Sequence, residues 1–145
     1  SEPEKWDPKT RETADHSIPF LVAAAFQEGA VTPGSFTPQG IADPTKRETM
    51  AKMTLSEDSE FTAKFPSEYN CRITVTDQAG KVHTAHTSFS KGHKNNPLDD
   101  AELEGKFRSF ASVVLSDMQC DQVLETIWAI DEATDMDDLF DGLVV

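Results

Sequence analysis

The residues best suited to chemistry lie just before the most apolar stretch of the chain. Arg11, Asp15 and His16 form a polar cluster, and a helix is predicted to begin directly after them. The free backbone N–H groups and positive dipole end of a helix start favour a bound anion. This combination would suit a carboxylate ligand. The alternative interpretation is an ordinary capped helix, in which His16 is only a surface histidine.

A second segment rich in hydrogen-bond donors covers residues 91–97, with the sequence KGHKNNP. Gly92 lets the backbone turn between Lys91 and His93, two side chains that can each bind an anion. This segment follows a predicted strand directly, so we expect a loop that presents both side chains.

The first cluster must be positioned by the helix that follows it. Asp15 and Ser17 are both good N-cap residues, Pro19 suits a first helical turn, and Gly29 is typical of the residue after a helix end. A helix of about ten to twelve residues is therefore predicted here. Its apolar residues recur at helical spacing and predict one buried face, formed by Ile18, Leu21, Val22, Ala25 and Phe26.

The loop with Lys91 and His93 must be positioned by a β-hairpin. Residues 72–77 and 81–89 alternate as two strands around residues 78–80, and Gly80 supplies the positive φ of the turn. Ile73 and Val75 are expected to face the core. The hairpin is predicted to pack against helices.

The remaining elements follow from caps, prolines and apolar spacing. We expect an extended segment over residues 1–10, a short strand over 53–56, and helices near 37–41, 44–52, 60–65, 101–115, 117–132 and 136–143. The apolar stripe of the helix at 101–115 is predicted to be buried and consists of Leu103, Phe107, Phe110, Val113 and Val114. The fold class is therefore α+β with a helical C-terminal segment.

Composition excludes several classes of protein. The chain has 145 residues, 37% hydrophobic and 27% charged, which predicts one folded domain, neither disordered nor embedded in a membrane. Residues 98–145 contain 13 acidic side chains against two basic ones, and they account for most of the net charge of −13. Such a surface repels nucleic acid.

The cysteines and histidines give no sign of a metal site. Cys71 and Cys120 are far apart and are expected to be buried thiols in a reducing compartment. His83 and His86 are three residues apart on a predicted strand, so they point to opposite faces. No metal is therefore predicted.

Several separated motifs resemble one enzyme family. Residues 5–8 (KWDP) and 11–20 (RETADHSIPF) match its Asp-His-Ser segment, and residues 89–98 (FSKGHKNNPL) match its Tyr-Pro-x-Gly-His-x-x-Asn-Pro segment. Phe89 and Ser90 depart from the usual tyrosine and proline. Residues 31–36, 41–44 and 100–107 fit the same pattern in the same order. Through these motifs nearly the whole chain resembles the MmgE/PrpD family, whose best-known members are 2-methylcitrate dehydratases.

The resemblance implies a lyase that eliminates water from a tricarboxylate without an iron–sulfur cluster, another metal or a cofactor. His16 is the first candidate for acid/base catalysis or carboxylate binding, and Asp15 is the candidate that orients its ring. Arg11, Lys91 and His93 are candidates for binding the substrate carboxylates, converging with His16 on one face. In the alternatives, Asp15 only caps the helix, Arg11 pairs with Glu12 or Asp7, and His93 only closes its loop.

The resemblance also implies a longer protein. Enzymes of the family have a large helical domain and a smaller α+β domain, and residues 1–145 resemble the small domain together with its terminal helices. The missing N-terminal helical domain, a tricarboxylate and a second copy in a homodimer are the expected partners, in the cytoplasm or the mitochondrial matrix. The isolated chain is expected to be inactive. Cis-aconitate decarboxylation, imino-diacid epimerisation and a non-catalytic role remain open.

Overall fold

The computed structural model describes residues 2–144 and has the predicted α+β fold. The chain forms two compact units, Ser1–Thr62 and Ala63–Val145. Its helices and strands are α1 (Arg11–Asp15), α2 (Ile18–Glu28), α3 (Pro38–Ala42), α4 (Pro44–Met50), α5 (Ser59–Lys64), β1 (Cys71–Thr76), β2 (Val82–Thr87), α6 (Asp100–Ala111), α7 (Asp117–Trp128) and α8 (Asp137–Gly142). Single turns of 3₁₀ helix cover Pro3–Trp6, Pro33–Phe36 and Ile130–Glu132. In residues 2–144, no helix is both long and apolar enough to cross a bilayer.

The predicted first helix is confirmed, but two helices occupy the region. Thr10 caps α1, and its hydroxyl accepts a hydrogen bond from the backbone N–H of Thr13. Ser17 caps α2 by accepting from the N–H of Phe20 at 3.1 Å, and Gly29 ends it with a φ of 79°. Asp15 is the last residue of α1, so the alternative interpretation, in which Asp15 only caps the apolar helix, is wrong.

The buried face of α2 is not the one predicted. Phe20, Ala23 and Ala24 are fully buried with residues of α1, α3 and α4, whereas Ile18 and Phe26 are 54% and 63% exposed. The helix is apolar on both sides, so the spacing of its apolar residues does not distinguish them. Small alanines allow a close approach of neighbouring elements, and this face is the one that packs.

Lys46 of α4 lies in this core with its whole side chain buried. Its ammonium contacts Oε1 of Glu28 at 2.5 Å, donates to the carbonyl of Gly40 at 2.8 Å, and lies 5.3 Å from the ring centroid of Phe20. A second oxygen of Glu28 accepts from the hydroxyl of Ser35. The buried charge is therefore fully paired, as a buried ammonium requires.

The β-hairpin is confirmed, and its expected burial is wrong. β1 and β2 pair antiparallel with Ile73 opposite Ala85, and Gly80 has a φ of 80° in the turn. Both strands are exposed along their whole length, including Ile73, Val75 and Cys71. None of the described hairpin strand residues is buried, so the apolar alternation is present without the core it predicts.

The second unit has a small core between α7 and α8. Leu115, Cys120, Val123 and Leu139 are buried there. A capping box between Asp99 and Glu102 starts α6. The predicted burial of its apolar stripe is wrong for four side chains, which are 47% to 81% exposed: Leu103, Phe110, Val113 and Val114.

Two predicted segments near the N-terminus also differ. Residues 53–56 are irregular, because no neighbouring strand in the described chain supplies hydrogen-bond partners for them. The lead-in is not fully extended, since Pro3–Trp6 forms a 3₁₀ turn. Proline in the first position favours that turn, because its fixed φ suits a helix start.

Candidate functional site

His16 lies at the junction of α1 and α2 with its imidazole fixed from one side. Its Nδ1 lies 3.0 Å from the carbonyl oxygen of Glu12 and 2.5 Å from Oδ1 of Asp15. A carbonyl oxygen can only accept, so Nδ1 carries the hydrogen and donates it. The ring is therefore held as the Nδ1–H tautomer, and Nε2 remains available to exchange a proton with another molecule.

These contacts change the acidity of the ring. Hydrogen bonding to the Glu12 carbonyl raises the pKa of His16, and the Asp15 carboxylate raises it further. Partial loss of solvent around the ring lowers the pKa, as does the positive charge of Lys5 to a smaller extent, but these effects do not outweigh the hydrogen bonds. The local geometry thus favours the protonated imidazolium at a higher pH than for an isolated histidine.

An open pocket with a volume of about 310 Å³ adjoins His16. Its described lining combines ionisable and apolar side chains from the N-terminal turn, the start of α2 and the segment after α4: Glu2, Lys5, Trp6, His16, Ile18, Pro19 and Leu55. The wall beside His16 is thus mostly apolar, and charged groups lie at a few positions, as in many small-molecule sites.

Three hydrogen bonds hold the N-terminal segment against α2 and α4. The Ser17 hydroxyl donates to the carbonyl oxygen of Lys5. Arg47 of α4 donates to Oδ1 of Asp7 at 2.7 Å and to the carbonyl of Pro8 at 2.6 Å. The pocket is therefore formed by an anchored segment.

Arg11 is placed near this site but not in its described lining. It is the exposed first residue of α1, and it forms no ion pair within residues 2–144. Asp7 instead pairs with Lys9 at 2.8 Å and Arg47 at 2.7 Å. The alternative interpretation, in which Arg11 pairs with Asp7 or Glu12, is therefore wrong.

Lys91 is engaged within its own unit. Its ammonium lies 2.7 Å from Oε2 of Glu102, and this ion pair lowers the pKa of Glu102. The same carboxylate oxygen accepts from the N–H of Asp99 at 2.9 Å in the capping box of α6. A ligand carboxylate would compete with Glu102 for Lys91.

His93 takes part in closing its loop. Its ring stacks on Phe89 with centroids 4.8 Å apart, and Nδ1 accepts from the N–H of Asn95 at 3.1 Å. Gly92 adopts a φ of 93°, and its N–H donates to the carbonyl of Asn96 at 2.8 Å. Neutral His93 therefore carries its hydrogen on Nε2, the atom left for any further contact.

The structure thus brings Asp15 and His16 together at the end of α1, and Arg11 lies at the start of that helix. Lys91 and His93 lie in one loop of the other unit. That these two sets of residues converge on one face stays a prediction. The sequence did not single out Lys5 as a site residue. Its place beside His16 depends on a contact with Ser17, twelve residues away, and no local pattern indicates that contact.

Comparison with known proteins identifies the family. The model of the MmgE/PrpD C-terminal domain matches residues 1–130. The chain belongs to the MmgE/PrpD family. The segment with Asp15 and His16 and the loop with Lys91 and His93 both lie inside the matched range of this MmgE/PrpD domain.

Two relatives are cis-aconitate decarboxylases. The mouse protein is 29% identical over 132 residues, which cover 90% of this MmgE/PrpD chain and 26% of the relative. The human protein is 33% identical over 109 residues, or 75% of the chain and 22% of the relative. The chain therefore spans about a quarter of the length of these relatives.

Proposed function

We propose that this chain is the C-terminal part of a lyase that acts on a small tricarboxylate, with dehydration of a 2-methylcitrate-like substrate as its reaction. The observation that carries the proposal is His16, which is held as the Nδ1–H tautomer beside an open pocket with a lysine in its lining. Elimination of water removes a proton from a carbon next to a carboxylate and gives a proton to the departing hydroxyl group.

His16 suits the second of these proton transfers. Its raised pKa favours the imidazolium, and Nε2–H is the donor that the internal contacts leave available. In this proposal Asp15 is a positioning residue that holds the ring through Nδ1. Arg11, Lys91 and His93 bind the substrate carboxylates, and Lys91 exchanges Glu102 for one of them.

Decarboxylation of cis-aconitate is the second candidate, because the relatives in mouse and human carry that name. Loss of carbon dioxide leaves an electron pair on carbon, which must receive a proton. A protonated His16 would supply it. Both reactions therefore use His16 as an acid, but they differ in the group that leaves and in the atom that receives the proton: the hydroxyl oxygen in dehydration and a carbon in decarboxylation.

We further propose that this chain belongs to a protein as long as its relatives, and that an N-terminal helical domain of that protein completes the site. The chain matches only about a quarter of each relative. Each compact unit has exposed apolar side chains, on α2 in the first and on the hairpin and α6 in the second, and exposed apolar surface commonly marks an interface. These side chains support the proposal. The chain alone is expected to be inactive.

The test uses a protein of the relatives' length that contains this chain, supplied separately with 2-methylcitrate, citrate and cis-aconitate. Products are identified by mass spectrometry. We expect turnover of one of these substrates and a fall in kcat of about 100- to 10,000-fold in His16→Gln, the usual contribution of a general acid or base. His83→Gln is the matched control, because His83 contacts Asp77 in the hairpin and is expected to leave kcat unchanged.

Two results would contradict the proposal. If His16→Gln has the same kcat as the wild type on the substrate that is turned over, His16 does not act as an acid or base in the reaction. Turnover by residues 1–145 alone would show that no further domain is needed.

A further inference from the structure

Lys5 is the one lysine in the described lining of the His16 pocket. Its side chain is half-buried, and within residues 2–144 it forms no ion pair with a carboxylate. Other lysines beside the two clusters are neutralised: Lys9 by Asp7 and Lys91 by Glu102. Lys5 therefore has a charge that can be offered to a ligand.

The backbone holds Lys5 in place. The residue lies in the 3₁₀ turn Pro3–Trp6, where its N–H donates to the carbonyl of Glu2 at 3.0 Å. Its own carbonyl accepts from the hydroxyl of Ser17, the cap of α2. Lys5 and His16 are thus attached to the same helix start, and substrate binding would not have to order a free tail.

The charges in the pocket favour a single carboxylate. Lys5 and protonated His16 contribute two positive charges to the lining, and Glu2 contributes one negative charge. The Asp15 carboxylate already pairs with the imidazole of His16, so Lys5 is the cation that a ligand carboxylate can bind. The remaining lining residues are apolar and would contact hydrocarbon, so a carboxylate at the end of a carbon chain fits the pocket better than a compact inorganic anion.

We propose that Lys5 binds a carboxylate group of the substrate and so positions the neighbouring carbon at His16. Trp6, Ile18, Pro19 and Leu55 contact the carbon skeleton, and Glu2 competes with the carboxylate for the ammonium. The role of Lys5 in turnover rests on the function proposed above, whereas the binding of a carboxylate by Lys5 is independent of that function.

The binding test uses the full chain with labelled histidine and follows the imidazole resonances of His16 by NMR. Tricarballylate is the probe, because it has three carboxylates and no hydroxyl group to eliminate. We expect saturable shifts of His16 and a Kd at least about tenfold weaker in Lys5→Gln, which corresponds to about 1.4 kcal/mol. Glu2→Gln is expected to bind more tightly, since it removes the competing carboxylate.

Lys9→Gln is the matched control. Lys9 lies in the same segment, but it pairs with Asp7 and is not in the described pocket lining. The Kd of Lys9→Gln for tricarballylate should therefore equal that of the wild type. Circular dichroism of each variant verifies the fold. Equal affinity of wild type and Lys5→Gln, or no shift of His16 at millimolar tricarballylate, would overturn the inference.

A kinetic test in the longer protein separates this inference from the proposed function. We expect Lys5→Gln to lower kcat/KM at least about tenfold, mainly through KM, and Lys5→Arg to restore part of the loss. An active protein with unchanged kcat/KM in Lys5→Gln refutes the role of Lys5 and leaves the function standing. A protein inactive on every tricarboxylate refutes the function, while Lys5-dependent binding of tricarballylate would still hold.

Discussion

The buried ammonium of Lys46 offers the sharpest test of the packing around α2. Lys46→Met keeps most of the aliphatic stem and removes the charge. It leaves the carboxylate of Glu28 and the carbonyl of Gly40 without their donor. Breaking a buried ion pair from one side costs about 3–5 kcal/mol. The Glu28 side chain is 33% exposed and can regain water, so we expect a loss of about 3 kcal/mol in the free energy of unfolding.

Urea denaturation of the full chain, monitored by circular dichroism, measures this loss. Lys52→Met is the matched control: Lys52 is exposed and forms no ion pair in the described chain, so its change should stay within about 0.5 kcal/mol. The double variant Lys46→Met/Glu28→Gln should be more stable than the sum of the single changes predicts, by about 1 kcal/mol or more. A loss below about 1 kcal/mol in Lys46→Met would refute the reasoning.

The pH dependence of this difference follows from Glu28. Hydrogen bonding to Lys46 lowers the pKa of Glu28, and the Ser35 hydroxyl lowers it further. A lowered pKa in the folded state adds stability above the ordinary pKa of glutamate, about 4.3, and this stability is lost as the pH falls through the lowered value. The difference between wild type and Lys46→Met should therefore narrow below about pH 4.

Two further predictions concern His16 and the end of α2. Asp15→Asn should lower the pKa of His16 measured by NMR without returning it fully to the ordinary value of about 6.5, because the Glu12 carbonyl still accepts from Nδ1; an unchanged pKa would show that Asp15 does not act on the ring. Because the folded pKa is raised, the stabilisation by protonated His16 is present below the ordinary value and lost as the pH rises through the raised one. Gly29→Ala should destabilise the chain by about 1 kcal/mol, because a φ of 79° is strained for any residue with a Cβ atom, even though no neighbour would clash with it. Gly105→Ala within α6 should instead stabilise the chain slightly. Equal changes in the two glycine variants, measured by urea denaturation, would contradict this account.

Local signals in the sequence predicted local structure well. Ser17, Gly29 and Gly80 mark the start of α2, its end and the hairpin turn, because caps and turns depend on a few neighbouring residues. Burial was harder to predict. α2 is apolar on both sides, and the hairpin and α6 have apolar side chains that the described chain leaves largely exposed. Such patterns indicate that a face is meant to be buried, but they do not identify what buries it.

The candidate site divides in the same way. Asp15 and His16 are adjacent in sequence, so their contact was foreseeable. Lys46 in the core and Lys5 beside His16 were not, because each depends on contacts between residues far apart in the chain. A lysine is usually exposed, and its type alone gives no reason to expect either position.

The Ser17 hydroxyl makes two hydrogen bonds: it caps α2, and it holds the turn that contains Lys5. A substitution that removes the hydroxyl removes both bonds. The stability of α2 and the shape of the pocket therefore depend on the same side chain. Attempts to widen the pocket for a bulkier acid would do better to change Leu55, which lines it but takes no part in either bond.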